Sequence, residues 1–385
     1  MEQRRVYGKN HWYHETQSTI CPVDVLPLVP EAAHVEDRFL LDLALPEELR
    51  KAHARWLPLA RRLADALFPT TVSVNRLQTF SAYDRLSTAL TVAQVYGVQR
   101  LCNHYAARLA PLPGPDSSRE SNRRLAQITQ YARQLASSPA LINALSRSQL
   151  DEVGLTSRDI ILINQIIGFV SFQARAIAAF HAALGYPVRW IPGMPQQDDA
   201  PETLFVASDC DWQPGLDDAD LRYADDERQS QLAGWQKHPG LFELAPLLAA
   251  QEPPLDIQEQ LLSHLSEPQP FAAQVALIAA RINGSISCFN AWASRCPNLT
   301  ALSDALRGNP SGVHRWGENP AFERQLLQSI QLLTRSPDRF SAAHLNPLIE
   351  YGLSRTSAID LLAWCGLCGW MNRLKIALGN VSQQT

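Results

Sequence analysis

Residues 160–184 read Ile160-Ile161-Leu162-Ile163-Asn164-Gln165-Ile166-Ile167-Gly168-Phe169-Val170-Ser171-Phe172-Gln173-Ala174-Arg175-Ala176-Ile177-Ala178-Ala179-Phe180-His181-Ala182-Ala183-Leu184. Within this stretch Ile163, Ile167, Val170, Ala174, Ile177, His181 and Leu184 follow one another in alternating steps of four and three. That rhythm marks one buried face of a helix. A second stripe, Ile278, Ile282, Ser285, Phe289, Trp292 and Cys296, keeps the same rhythm. Alternation of period two is nearly absent along the chain, so the expected fold class is all-α. The window 160–184 is also the most apolar. Asn164, Gln165, Gln173 and Arg175 in its middle would each be costly in a bilayer, which points to a buried helix rather than a membrane span.

The chain has 385 residues, enough for two domains that each bury a core. With 46% hydrophobic and 19% charged residues, its composition is that of a globular protein. The net charge is −4, and neither a basic stripe nor an aromatic–basic run appears, which points away from a nucleic-acid partner. The first residues, Met1 to Tyr7, lead into no apolar segment, so no signal peptide is expected. Seven cysteines, an odd count in a chain far longer than a disulfide scaffold, point to a reducing cytoplasm.

Composition shifts divide the chain into an N-terminal arm (1–45, with Pro22, Pro27 and Pro30), a first helical domain (46–191), a linker (192–235) and a second helical domain (236–385). Pro46 suits the first turn of the opening helix. The linker holds Pro192, Pro195, Pro201, Pro214 and the acidic run Asp217-Asp218-Ala219-Asp220. Phe205 and Trp212 suggest that it packs onto a domain. The halves resemble each other. Phe80-Ser81-Ala82 begins a helix expected to pass through Gly97 to Arg108, and Phe271-Ala272-Ala273 begins one through Gly284 to Arg295. Gly97 and Gly284 are 187 positions apart, as are Arg108 and Arg295. Gly168 with Arg175 and Gly366 with Arg373 form a second matched pair, each at a separation of 198. Two matched blocks in the same order point to two tandem helical-bundle domains that arose by internal duplication.

The segment Ala279-Ala280-Arg281-Ile282-Asn283-Gly284-Ser285-Ile286-Ser287-Cys288-Phe289-Asn290-Ala291-Trp292 resembles the core helix of the AhpD-like alkylhydroperoxidases and carboxymuconolactone decarboxylases. The motif of that helical superfamily is Asn-Gly-Cys-x-x-Cys-x-x-x-His. Trp370-Met371-Asn372-Arg373-Leu374 is similar to the closing helix of its two-domain members, and the likeness covers most of residues 46–385. The resemblance implies a thiol-dependent peroxidase that needs no cofactor and no metal. Its second cysteine attacks peroxide, the first resolves the product as a disulfide, and His with an upstream Glu relays protons. Only a thiolate attacks, and an ordinary thiol is mostly protonated at neutral pH, so such a relay is required. Carried over, Cys288 stands at the attacking position, Ser285 at the resolving one and Trp292 at the His position. The Glu is absent near Ala273, with Gln274 the nearest polar residue. In the first half, Val98 and Leu101 occupy the two cysteine positions, with Cys102 and His104 beside that register, so this copy reads as structural. Free cysteines are most often small buried hydrophobes, and that is the competing reading of Cys288.

The true Cys-x-x-Cys is Cys365-Gly366-Leu367-Cys368, whose spacing puts both sulfurs on one helix face. Gly366 and Gly369 allow a close approach by another backbone or a substrate. Asn372 follows Cys368 by one turn, and His344 and Glu350 lie upstream as candidate bases. The apolar bulk of Leu361-Leu362-Ala363-Trp364 would make these thiols inert, so core packing competes with a redox role. A lone pair of this kind is half a zinc site. His11 and His14 in the arm and His181 on its helix face are weaker candidates. Arg175 and Arg373 lie inside apolar helices, where a buried guanidinium needs a partner; Asp159 and Asp360 are the candidate carboxylates.

Three function classes follow. The first is a peroxidase-like oxidoreductase acting on a small peroxide or thiol substrate, with Cys288 attacking, Cys296 or an external thiol resolving, and Cys365 with Cys368 as a second centre. The second is a catalytically inactive scaffold of the same fold with a binding or regulatory role. The third is a cofactor-free decarboxylase or isomerase of a small acid that uses Arg and His. Amphipathic helices and two fused units also point to a homo-oligomer.

Overall fold

The computed structural model describes residues 31–189, 192–193, 196–206, 210–216, 226–236, 240–249, 253–266, 271–308 and 321–383. His11, His14 and Cys21 of the expected arm, and the acidic residues Asp217, Asp218 and Asp220, lie outside them. The described chain is mostly helical. Its helices are α1 Glu47–Ala52, α2 Leu57–Leu67, α3 Ala82–Tyr96, α4 Gln99–Leu109, α5 Arg119–Ser137, α6 Ala144–Asp151 and α7 Ser157–Leu184. After the strand β1 (Cys210–Pro214) come α8 Asp226–Trp235, α9 Ala245–Leu248, α10 Leu255–Ser266, α11 Ala272–Asn283, α12 Ile286–Arg295 and α13 Thr300–Arg307. The chain continues with α14 Ala321–Arg335, α15 Ala342–Glu350, α16 Arg355–Leu378 and β2 Gly379–Gln383.

Helix α7 starts where Thr156 caps it, with Thr156 and Asp159 exchanging side-chain and backbone bonds in a capping box. It stops at Gly185, whose φ of 71° ends the ladder in the left-handed region. It is long and apolar enough to cross a membrane by length and composition, but its most apolar window is wholly buried inside the protein. It packs along α16, and one continuous core takes in side chains from both halves of the chain. Gly168 and Gly366 bring the two helices together: a Cβ on Gly168 would overlap the Trp370 ring, and one on Gly366 would lie 3.1 Å from Phe172.

The helices expected to run unbroken through Gly97 and Gly284 are each two helices. Gly97 (φ 65°) ends α3 and Gly284 (φ 84°) ends α11, after which the chain restarts at Gln99 and at Ile286. Periodicity hid the break because a single left-handed glycine interrupts the hydrogen bonds with little loss of register. Ser285 is therefore the residue that precedes α12, and Cys288 stands in its first turn.

Related positions of the two halves contact each other reciprocally. Arg175 donates to the Thr334 carbonyl and Arg373 to the Ala136 carbonyl, and Thr334 and Ala136 are themselves 198 positions apart. Gly97 lies against Asp338, and Gly284 lies against Ala140, again a pair separated by 198. The expected carboxylate partners of the two arginines are elsewhere. Asp159 accepts from the backbone N–H groups of Thr79 and Phe80 at 3.0 Å, and Asp360 accepts from His53 Nδ1 and Trp56 Nε1 at 2.8 Å. Arg175 instead bonds the Ser171 carbonyl at 2.9 Å besides Thr334. Arg373 bonds the carbonyls of Leu135, Ala136 and Gly369 and the Gln197 side chain. Both guanidinium groups lie over the ring of the buried Tyr96.

The segment between the halves packs on the second half: the Ala200 N–H donates to the Ile282 carbonyl, and Phe205 meets Phe289. Phe205 and Trp212 on it are buried. β1 pairs antiparallel with β2, Trp212 opposite Val381. A Cβ on Gly379 would overlap the Trp212 ring, so only glycine lets the strand follow α16 this closely. Trp212 Nε1 also donates to the Lys375 carbonyl at 2.8 Å, tying the segment to the end of α16.

Candidate functional site

On α16, residues Trp364, Cys368, Met371, Asn372 and Lys375 recur at spacings of three and four and so share one face. On α12, Cys288, Ala291, Trp292 and Arg295 do the same. These two faces, with α10, α11 and the turn that carries Glu243, enclose a cavity of about 320 Å³. The rings of Trp292 and Trp364 meet edge-on at 6.0 Å and form part of its apolar wall.

The cavity brings together one cysteine from each of the two expected centres. Cys288 and Cys368, 80 positions apart, both line it, and both are free thiols. Cys288 is half-buried, and burial pushes its thiol up to about 11, with the neighbouring Ser285 hydroxyl pulling weakly the other way. Burial likewise holds Cys368 well above an ordinary thiol, and the nearby Cys365 and Cys288 sulfurs add to the effect.

Within each motif, one member lines the cavity and the other does not. Ser285 is buried beside Cys288 but outside the cavity lining. Cys365 shares a helix face with Cys368 by spacing, yet its sulfur meets Thr334 Oγ1 at 3.3 Å and stays out of the cavity. Burial raises its thiol too. The reason is packing: α16 is surrounded, so side chains one turn apart meet different neighbours. Cys296, His344 and Glu350 do not line the cavity. His344 Nδ1 instead accepts from the Ser341 N–H at 3.2 Å and closes a cap on α15.

In the first half, Val98 and Leu101 are core residues. His104 donates its Nδ1–H to the Ala32 carbonyl at 2.7 Å, and burial pushes its pKa down to about 4. The Cys102 thiol is raised by burial to about 11. His181 lines a hollow of about 50 Å³ beside Gly97 and Asp338, room for a few waters only.

Sequence reasoning missed Lys375, Glu243 and Cys210. Lys375 is almost fully buried, its amine pairs with the Glu243 carboxylate, and its charge lies 4.4 Å from the centre of the Trp212 ring. Burial pushes the Lys375 ammonium down to about 7, opposed by the Cys210 sulfur. Ser287 Oγ donates to the same Glu243 carboxylate at 3.4 Å. Asn372 is buried against the cavity, and its Nδ2 has no hydrogen-bond partner among the described residues. Cys210 Sγ accepts from Asn290 Nδ2 at 3.5 Å. The one available signal for Lys375 was a lysine inside an otherwise apolar helix. Glu243 lies 132 positions away from it and carried none.

Among the described residues, no group of three His, Cys, Asp or Glu side chains could hold a metal ion. The cavity's groups can move protons between amine, carboxylate and thiol, and they place one thiol near another that an incoming peroxide could oxidise. No protein-family model matches the chain and no curated protein matches it, so its function is argued from this cavity.

Proposed function

We propose that the protein is a thiol-dependent oxidoreductase of the AhpD-like kind that reduces a small peroxide, with Cys288 and Cys368 as its redox pair. The observation that carries this reading is the meeting of these two thiols in one cavity beside the Lys375 amine. The Cys288 sulfur attacks the outer peroxide oxygen, the O–O bond breaks, and the alcohol leaves with a proton held by Lys375 or Glu243. Cys288 is then a sulfenic acid. The Cys368 thiol attacks that sulfur, water leaves, and an external dithiol supplies the two electrons that restore both thiols. Lys375 takes the place that the family's histidine would hold, and Cys368 takes the place of Ser285 as resolver.

In this reading the two halves are diverged copies of one helical unit, and the protein works in a reducing compartment. Support for duplication comes from the reciprocal contacts of Arg175 with Thr334 and Arg373 with Ala136. Such exchange between equivalent positions is what a two-fold related pair produces. Only the second copy keeps thiols in the cavity.

The test is limiting hydrogen peroxide or cumene hydroperoxide on the native protein, followed by sulfenic-acid trapping and disulfide mapping by mass spectrometry. A Cys288–Cys368 disulfide and loss of peroxide turnover in Cys288→Ser are the expected results. The upward push of burial on both thiols favours a second reading, a scaffold whose cavity binds a ligand without redox chemistry. Thiols that stay reduced until the protein unfolds would select it.

A further inference from the structure

The surroundings of Lys375 suit a second chemistry besides proton relay to the thiols. It sits in an apolar-walled cavity of about 320 Å³, its amine against the Glu243 carboxylate and over the Trp212 ring. On the same helix, one turn back, the buried Asn372 lines the cavity with an amide N–H that has no hydrogen-bond partner among the described residues. A buried amide donor left unpaired is destabilising, so its placement against open space marks a position where a ligand acceptor restores the bond.

We propose that Lys375 is a nucleophilic amine that condenses with a small apolar aldehyde or ketone bound in this cavity, whose oxygen accepts from Asn372 Nδ2. The lone pair of Lys375 Nζ adds to the carbonyl carbon, the C=O π electrons move to oxygen, and a proton passes from nitrogen to oxygen through Glu243. The resulting carbinolamine loses water, aided by the protonated Glu243, and a C=N bond joins Lys375 to the ligand. No electrons are exchanged, and the one by-product is water. The chemistry needs a neutral amine. Burial pushes the Lys375 amine toward its neutral form, and the adjacent Glu243 carboxylate is placed to take the ammonium's proton when the ligand enters. An apolar wall formed by Trp292, Trp364 and Met371 matches an aromatic or aliphatic body on the carbonyl compound.

This inference goes beyond the thiol reading and stands without it, because it uses no sulfur. The chain has four lysines, Lys9, Lys51, Lys237 and Lys375, which makes the test clean. The full-length protein is incubated at pH 7.5 with 3-phenylpropanal and sodium cyanoborohydride, and each lysine's reductive alkylation is followed by mass spectrometry. Lys51, whose side chain is 77% exposed, is the internal reference. Labelling of Lys375 at least tenfold faster than Lys51 is the expected result, and labelling equal to or slower than Lys51 overturns the proposal. Because the comparison is made within the wild-type protein, it does not depend on any variant folding. Asn372→Leu should lower the Lys375 rate fivefold or more and leave Lys51 unchanged; an unaltered ratio removes Asn372 from the site. Cys288→Ser/Cys368→Ser should keep the Lys375 label. Its loss from that folded variant would mean that a thiol captures the carbonyl, and the amine proposal would fail while the thiol reading survived.

Discussion

Gly168 and Trp370 interlock where α7 packs on α16: the indole fills the space that a side chain on residue 168 would occupy, and its Nε1 donates to Gln165 at 2.9 Å. The converse contact, Gly366 against Phe172, is looser. These two glycines set how closely the two largest helices approach.

Gly168→Ala should therefore destabilise the protein by roughly 3 kcal/mol or more, since overpacking a filled core outweighs the ~1 kcal/mol that alanine gains in a helix. Gly366→Ala should cost less, because its nearest neighbours lie 3.1 to 3.2 Å from the added Cβ. Urea denaturation at 25 °C checks the order; a smaller loss at Gly168 contradicts the interlock.

Arg373 holds α16 to the last turn of α5 through the carbonyls of Leu135 and Ala136. Arg373→Leu leaves buried carbonyls and Gln197 Oε1 without their donor, at a cost of about 2–4 kcal/mol. Arg373→Lys should recover little of this, because one ammonium cannot span acceptors that a planar guanidinium reaches together. Full rescue by lysine, read from denaturation midpoints, would show that charge alone matters.

Reactivity of Cys288 should climb steeply with pH. With the thiol pushed up to about 11, the thiolate fraction is roughly one in ten thousand at pH 7 and rises about tenfold per pH unit. Iodoacetamide alkylation of Cys288, mapped by mass spectrometry between pH 7 and 10, should follow that slope without levelling. A plateau near pH 8.5 would mean an ordinary, solvated thiol.

His104 gives the fold an acid-sensitive step. Its pKa is lower in the folded protein, about 4, than the ordinary 6.5, so the unfolded chain binds the extra proton first. Above pH 6.5 both states are neutral and nothing is lost; as pH falls from 6.5 to 4, stability drops by roughly 3 kcal/mol. His104→Gln should flatten this part of the stability–pH profile. An unchanged profile would assign the acid sensitivity to other groups.

How much of this was legible in the sequence can be followed residue by residue. Steps of three and four through Ile163 to Leu184 mark α7, and its capping residues Thr156 and Gly185 bound it. The matched positions of Gly97 with Gly284 and Arg175 with Arg373 could be seen as spacings, and each pair has a shared structural role. Gly97 and Gly284 themselves were read as interior to helices, because periodicity reports burial and a single left-handed residue barely disturbs it.

By itself, then, the sequence determined the helical character and the buried faces, since each is a local consequence of side-chain period. Only the tertiary structure decided what meets what. Arg175 and Arg373 found carbonyls rather than Asp159 and Asp360, because every residue offers a carbonyl and composition cannot rank them. Cys368 left Cys365 for the cavity of Cys288, and Lys375 met Glu243 across 132 positions. Those meetings depend on how helices dock, and docking is set by the sum of contacts across the core, which no short stretch of sequence contains.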